Sequence, residues 1–249
     1  TLLNSGFFEI TTNSLTTNKL RKFSYWDNEK TVEMVNKLSD EHAILKQKLL
    51  FTSLDSIRYN INRKQKNLKF FEFDKAYSLE EKEYKESSKI GIYITGLKQE
   101  EHFVNKPENV SFFDVINITN KVLNIARISD FETKPKADSK TLDMCVEIIS
   151  NGVVLGEIGM VKKEILKTFE ISQDVYHAEI DWPNLIMNFD KEFKFSEIPK
   201  FPQVQRDLSL VMNKDVKYND VISVIDLNKN KILKKVSLYD IYELSLIHI

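Results

Sequence analysis

The sequence predicts an α+β protein, and three stretches carry that prediction. In the first, Leu50, Leu54, Ile57 and Ile61 recur at steps of four, three and four residues. That is the apolar stripe of a helix buried along one side. Lys46, Lys48, Asp55, Asn62 and Arg63 fall largely off the stripe, and Gln65-Lys66-Asn67 then breaks the period with turn-forming residues. The dense run Leu68–Phe73 reads as an interior strand covered on both faces. In the second stretch, Asn151-Gly152 separates the β-rich runs Asp143–Ser150 and Val153–Met160. Both central residues tolerate positive φ, so this is a hairpin. In the third, Val204, Arg206, Leu208, Leu210 and Met212 alternate with their neighbours as a strand. The helical pattern Asp215–Leu227 and a second strand, Lys234–Tyr242, follow.

The remaining elements follow in order. Phe7–Thr12 has strand composition and runs into a polar loop, and Val32–Leu38 reads as the next strand. Ser39 before Asp40 and Glu41 is a helix start, with an N-cap hydroxyl and acids in the first turn, and that helix contains or leads into the striped one. The charge run Leu79–Lys89 reads as a solvated hairpin loop. Ile90–Leu97 is a strand and Gln99–Asn109 a loop. Phe112–Arg127 returns to helical spacing through Phe112, Val115, Ile116, Val122, Leu123 and Ala126. Ser129–Lys140 reads as a mobile loop. Val161–Phe169 is a short helix, Val175–Ile180 a strand, and Trp182–Met187 a helical turn with Pro183 early in it. Phe189–Lys200, with Pro199 and Pro202 beside it, marks a boundary between residues 1–198 and 199–249.

Composition narrows the function classes. The chain has 249 residues, 42% hydrophobic and 29% charged, which suffices for a sizeable core in one or two domains. A net charge of −1 gives no chain-wide nucleic-acid signal, so any basic surface is local. Cys145 is alone, which rules out an intrachain disulfide and makes a reducing cytoplasm the natural compartment. No apolar run is long enough to span a bilayer, and no leader pattern is present. The start at Thr1, without Met, reads as the edge of a larger chain. Six glycines against 16 phenylalanines argue against glycine-rich phosphate loops.

Several phrases resemble one family. Leu45, Leu49, Leu50, Tyr59-Asn60-Ile61-Asn62-Arg63 and Phe71-Glu72-Phe73 occur in the order found in the β subunit of bacterial phenylalanyl-tRNA synthetase. Ile10-Thr11-Thr12-Asn13-Ser14-Leu15, Phe112-Phe113-Asp114, Gly156-Glu157-Ile158-Gly159 and Tyr176-His177-Ala178-Glu179-Ile180 resemble the same catalytic-like module. Phe201-Pro202, Arg206-Asp207-Leu208 and the run Val236–Glu243 resemble its ferredoxin-fold anticodon-binding domain. The chain departs from the family where Lys46 stands for an Arg, where Phe51-Thr52 stands for Pro-Gly, and in lacking a His-Pro-Gly-Arg phrase near residues 129–140.

The resemblance implies a class II synthetase-like antiparallel sheet flanked by helices, followed by a partial ferredoxin-like βαβ unit. It implies the C-terminal part of a β subunit: a non-catalytic, cytoplasmic scaffold for the catalytic α subunit in a heterotetramer of two α and two β. The α subunit joins phenylalanine to tRNA(Phe) with ATP and magnesium, and the fragment itself needs no cofactor. The alternative is a stand-alone RNA- or protein-binding module. Half of a ferredoxin-like fold exposes the face meant for the other half, so the last module is expected to lean on its neighbour, pair with a copy or be poorly ordered. The tail Leu244–Ile249 does not continue the family pattern.

Catalytic chemistry is expected to be absent. Class II sites place an Arg two residues before a strand Glu and another Arg in a glycine-rich segment. Here Phe70 precedes Glu72, and Gly156–Met160 leads into Val161-Lys162-Lys163. Glu72 is therefore a structural or surface acid. His42, His102, His177 and His248 lack metal spacing. From Lys200 onward eight basic residues face six acids, a balance of +2. Arg206, Lys214, Lys217, Lys234 and Lys235 are the candidate RNA-binding residues, with Tyr239 and Tyr242 as stacking faces. Arg206-Asp207 reads equally as a structural ion pair. The helices at 44–63 and 112–127 are candidates for subunit packing.

Overall fold

The fold comes from a computed structural model that describes residues 2–37, 39–100, 102–104, 106–189, 195, 200–227 and 232–242. The chain divides into two units, Thr1–Lys194 and Phe195–Ile249.

The first unit is a seven-stranded sheet with helices on both faces. Its strands are β1 (Phe8–Glu9), β4 (Leu68–Glu80), β5 (Glu83–Thr95), β6 (Glu132–Pro135), β7 (Leu142–Ser150), β8 (Val153–Val161) and β9 (Val175–Asp181). Their order is β1-β4-β5-β9-β8-β7-β6. All pairings are antiparallel except the short β1–β4 contact. A separate ribbon joins β2 (Leu15–Thr16) to β3 (Ile44–Leu45). One face of the sheet carries α1 (Leu49–Asn62) and α3 (Lys163–Thr168), and the other carries α2 (Phe112–Ile125) and α4 (Trp182–Met187).

The predicted stripe of α1 is the buried one: Leu50, Leu54 and Ile57 are fully enclosed, with Ile61 packed at the margin. The Asn151-Gly152 hairpin forms as predicted, with φ of 51° and 76° at its two central residues. Ser111 and Asp114 cap α2 reciprocally, and the Asp181 carboxylate accepts from Asn184 N at the start of α4.

In the first unit five expectations are corrected. Phe7–Thr12 yields only the two-residue β1: Ile10 N still bonds the β4 backbone, at Phe71 O at 2.9 Å, but Thr12 N bonds the Glu72 side chain instead. Residues 32–37 form no strand. Among the described residues their ladder partner is the first residue of β3, through the bridge Glu33↔Ile44, and Val35 is 95% exposed. Ser39 starts no α-helix: its hydroxyl meets His42 Nδ1 at 3.3 Å, and a single 3-10 turn, Asp40–His42, follows. Ile44 is then drawn into the core as part of β3, so α1 begins five residues later.

The charge run at 79–89 is strand rather than loop. Only Glu81 and Lys82 turn, both at positive φ, and the register continues Glu80↔Glu83, Leu79↔Tyr84 and Ser78↔Lys85. The cross-strand pairs Lys75–Glu86 and Lys85–Glu80 use the charges to hold the ribbon together. Residues 132–135 likewise form β6, an exposed edge strand whose Lys134 and terminal Pro135 blunt further pairing.

In the second unit α5 (Tyr218–Leu227) matches the expected helix. The two flanking strands do not form among the described residues. A strand needs a hydrogen-bonded neighbour, and none occurs there, so Val204, Leu208 and Leu238 stand exposed. Most of Phe189–Lys200 and all of Leu244–Ile249 lie outside the described residues.

Candidate functional site

The sheet face under α1 carries a row of acids at one register. Glu72 of β4 stands opposite Gly91 of β5, Gly91 opposite Glu179 of β9, Glu179 opposite Glu157 of β8, and Glu157 opposite Glu147 of β7. Strand alternation points all of these to one face. Gly91 breaks the row because the ring of Tyr93 lies across it, and a Cβ there would overlap the tyrosine hydroxyl. Tyr93 in turn stacks on His177, with centroids 4.7 Å apart.

Every acid in the row is already engaged by this chain. The segment entering α1 delivers two lysines. Lys46 is completely buried; its Nζ reaches Asp74 at 2.7 Å, Thr12 Oγ1 at 2.9 Å and Glu72 at 3.6 Å. Glu72 also accepts from Thr12 N and Thr12 Oγ1, both at 2.6 Å, and from Ser53 Oγ at 3.1 Å. Lys48 pairs with Glu157. Lys136, just past β6, bridges Glu147 at 2.9 Å and Glu157 at 3.2 Å. Glu179 accepts the first amide of α1, Leu49 N, at 3.1 Å. That contact suits a carboxylate at a helix N-terminus.

The electrostatics follow from this pairing. Burial pushes Glu157 upward, but the ammonium groups of Lys48 and then Lys136 outweigh it and hold the carboxyl at about 2. Burial pulls Lys136 down, and Glu147 and Glu157 more than reverse it, to about 12. Burial lowers His177 despite nearby Glu179, so its ring is neutral at pH 7. A depressed carboxyl stabilises the fold fully above its unfolded value of 4.5, and that contribution disappears as pH falls toward 2. The contribution from Glu157 is about 3 kcal/mol. Acid titration of unfolding is therefore expected to show a stability loss between pH 4.5 and 2 that is smaller by about 3 kcal/mol in Glu157→Gln, where the lowered carboxyls of Asp114 and Asp181 remain; an unchanged profile would refute the assignment.

The arrangement keeps the architecture of a carboxylate-lined site while leaving no carboxylate of the row open. Such groups anchor α1 to the sheet through Lys46, Lys48 and the Leu49 amide. Glu72, expected as a structural or surface acid, is fully buried. Lys46 is likewise not an exposed residue of the helix. It lies before α1 and inside the core, and it is a residue that sequence reasoning missed. His42 and His102 are exposed, and His248 lies outside the described residues.

Arg206, Lys214, Lys217, Lys234 and Lys235 are all exposed, on three separate stretches of the second unit. Arg206 Nη1 donates to the Gln205 carbonyl at 3.3 Å rather than pairing with Asp207. Lys217 N donates to Asp220 Oδ2 at the start of α5. Tyr239 and Tyr242 are exposed too.

An antiparallel sheet with helices on both faces and a polar row across one of them is the fold of a class II-like tRNA synthetase module. Among solved structures, that of PylSc, a pyrrolysyl tRNA synthetase from Desulfitobacterium hafniense, superposes with a TM-score of 0.57 over 75% of this chain and 64% of that one, at 18% identity. The phenylalanyl tRNA synthetase beta chain CLM domain family matches residues 1–182, and the ferredoxin-fold anticodon binding domain family matches residues 199–247. The chain belongs to the phenylalanyl-tRNA synthetase β-chain family. It is 31% identical to the phenylalanine–tRNA ligase beta subunit of Porphyromonas gingivalis over 97% of its length, and 29% identical to that of Bacillus subtilis over 96%. It spans 31% and 30% of those relatives.

Proposed function

We propose that the chain is a non-catalytic β-subunit portion of a phenylalanine–tRNA ligase. In this reading it scaffolds the catalytic α subunit within an assembly of two α and two β, and it contacts tRNA(Phe) during ATP- and magnesium-dependent aminoacylation in the cytoplasm. The observation that carries the reading is the acid row: a synthetase fold whose carboxylates are taken up by Lys46, Lys48 and Lys136 of the same chain. Residues 1–198 supply the scaffold. Residues 199–249 supply RNA contact through Arg206, Lys214, Lys217, Lys234 and Lys235, whose exposed ammonium and guanidinium groups suit phosphate.

Gel filtration with light scattering, of the chain mixed with the α subunit of the same source, tests the scaffold. The expected result is a co-eluting complex heavier than the 29.2 kDa chain. A folded chain that elutes alone would remove the scaffold role from this part of the β subunit; tRNA binding by that same chain would then mark a stand-alone RNA-binding module.

A further inference from the structure

On the sheet face opposite the acid row, a cavity of about 130 Å³ opens where α2 crosses the ends of β4 and β5. Its back wall is apolar, from Phe7, Ile94 and Ile118, all on the buried side. Its polar lining is Ser5, Lys69, Lys98, Asp114, Asn117 and Lys121, three cations against one acid. That acid is already committed: Asp114 Oδ2 accepts from Ser111 N and Ser111 Oγ, both at 2.7 Å, as the cap of α2. Lys98 is balanced by Glu108 and by Asp114 at 3.6 Å.

The other two lysines differ. Lys69 Nζ donates to the Lys98 carbonyl at 3.1 Å, a neutral acceptor, and keeps further N–H groups for another partner. Among the described residues no carboxylate pairs with Lys69 or Lys121. Asn117 and Lys121 are one turn apart on α2, so amide and ammonium share a side. Two uncompensated ammonium groups over a concave apolar wall concentrate positive potential there. Pockets for drug-sized ligands run from about 300 Å³ upward, so this one admits a group of a few atoms rather than a nucleotide.

We propose that this cavity binds a single phosphate group, held by Lys69, Lys121 and Asn117. The group is either inorganic phosphate or one phosphodiester of an RNA backbone, since both present the same charged oxygens.

The test uses the full chain and the double variant Lys69→Gln/Lys121→Gln. Neither lysine holds an acid, so the variant is expected to keep the circular dichroism of the parent. Inorganic phosphate is titrated at constant ionic strength, and the amide NMR signals of residues 117–121 are followed. Saturable shifts are expected, at least about fivefold weaker in the variant. In a second arm, tRNA binding is measured over a range of salt. An RNA phosphodiester as the occupant lowers the slope of log affinity against log salt by about 1 in the variant. Phosphate saturation lost in the variant with unchanged tRNA binding assigns the site to free phosphate. A reduced salt slope assigns it to RNA. Equal phosphate behaviour in both proteins, with no change in slope, overturns the proposal. Neither readout involves the α subunit, so failure of the scaffold reading and failure here are distinguishable.

Discussion

Replacing Lys46 by methionine is expected to lower the unfolding free energy by about 3–5 kcal/mol, the cost of leaving a buried charge without its partner. The side chain has no solvent access, and Glu72 beside it has none either. Asp74 retains 22% exposure and can rehydrate, so most of the penalty falls on Glu72. Two hydrogen bonds from Thr12 and one from Ser53 help that carboxylate without cancelling its charge. The companion double variant, Lys46→Met/Glu72→Gln, removes both charges at similar volume and is expected to recover more than half of the loss. Urea unfolding of the three proteins measures it. A Lys46→Met unfolding free energy within about 1 kcal/mol of the parent would show that the pair carries no buried charge penalty.

Phe51→Ala is expected to cost about 3–5 kcal/mol, as large aromatic deletions in packed cores do. Phe51 stands on the first turn of α1 with 1% exposure. Tyr25, Trp26 and Phe169 surround its ring at centroid distances of 5.6, 5.5 and 6.5 Å. Those rings come from the segment before β3 and from the end of α3, so the phenylalanine ties three distant pieces of chain to one face of the sheet. A Phe51→Leu variant fills most of the space and is expected to lose less than half as much. Near-equal losses for Ala and Leu, measured by thermal unfolding, would mean that the cost lies in the ring contacts themselves and not in the volume they fill.

The helices α1 and α2, read from periodicity, survive because their period reports burial directly. Leu50, Leu54 and Ile57 face a core, and so do Val115 and Leu123. The charged elements were harder to read. Glu80, Glu83, Lys85 and Glu86 look solvated in one dimension, yet register sets Lys75 beside Glu86 and Lys85 near Glu80. Nor does sequence spacing show that Glu72, Glu179, Glu157 and Glu147 fall in one row, since strand order brings them together across more than one hundred residues. Lys46 and Lys48 lie just before α1, where a helical wheel projects charges outward although the chain is still extended. In the second unit, alternation in residues 204–212 signals a strand, but pairing depends on a neighbour that no local pattern supplies.

The order of the sheet also determines when it can close. The β4–β5 and β7–β8 hairpins are local in sequence and join only through β9, which inserts between β5 and β8. Ile92 meets Ala178, so that junction spans more than eighty residues. Local ribbons form in microseconds, whereas distant pairings wait on the entropy of closing a long loop. On a ribosome β9 is the last of these strands to emerge. Until Val175–Asp181 is out, each hairpin presents an unpaired edge, on β5 and on β8, that a neighbouring nascent chain can occupy. Seven residues thus decide whether the first unit completes itself or joins another copy.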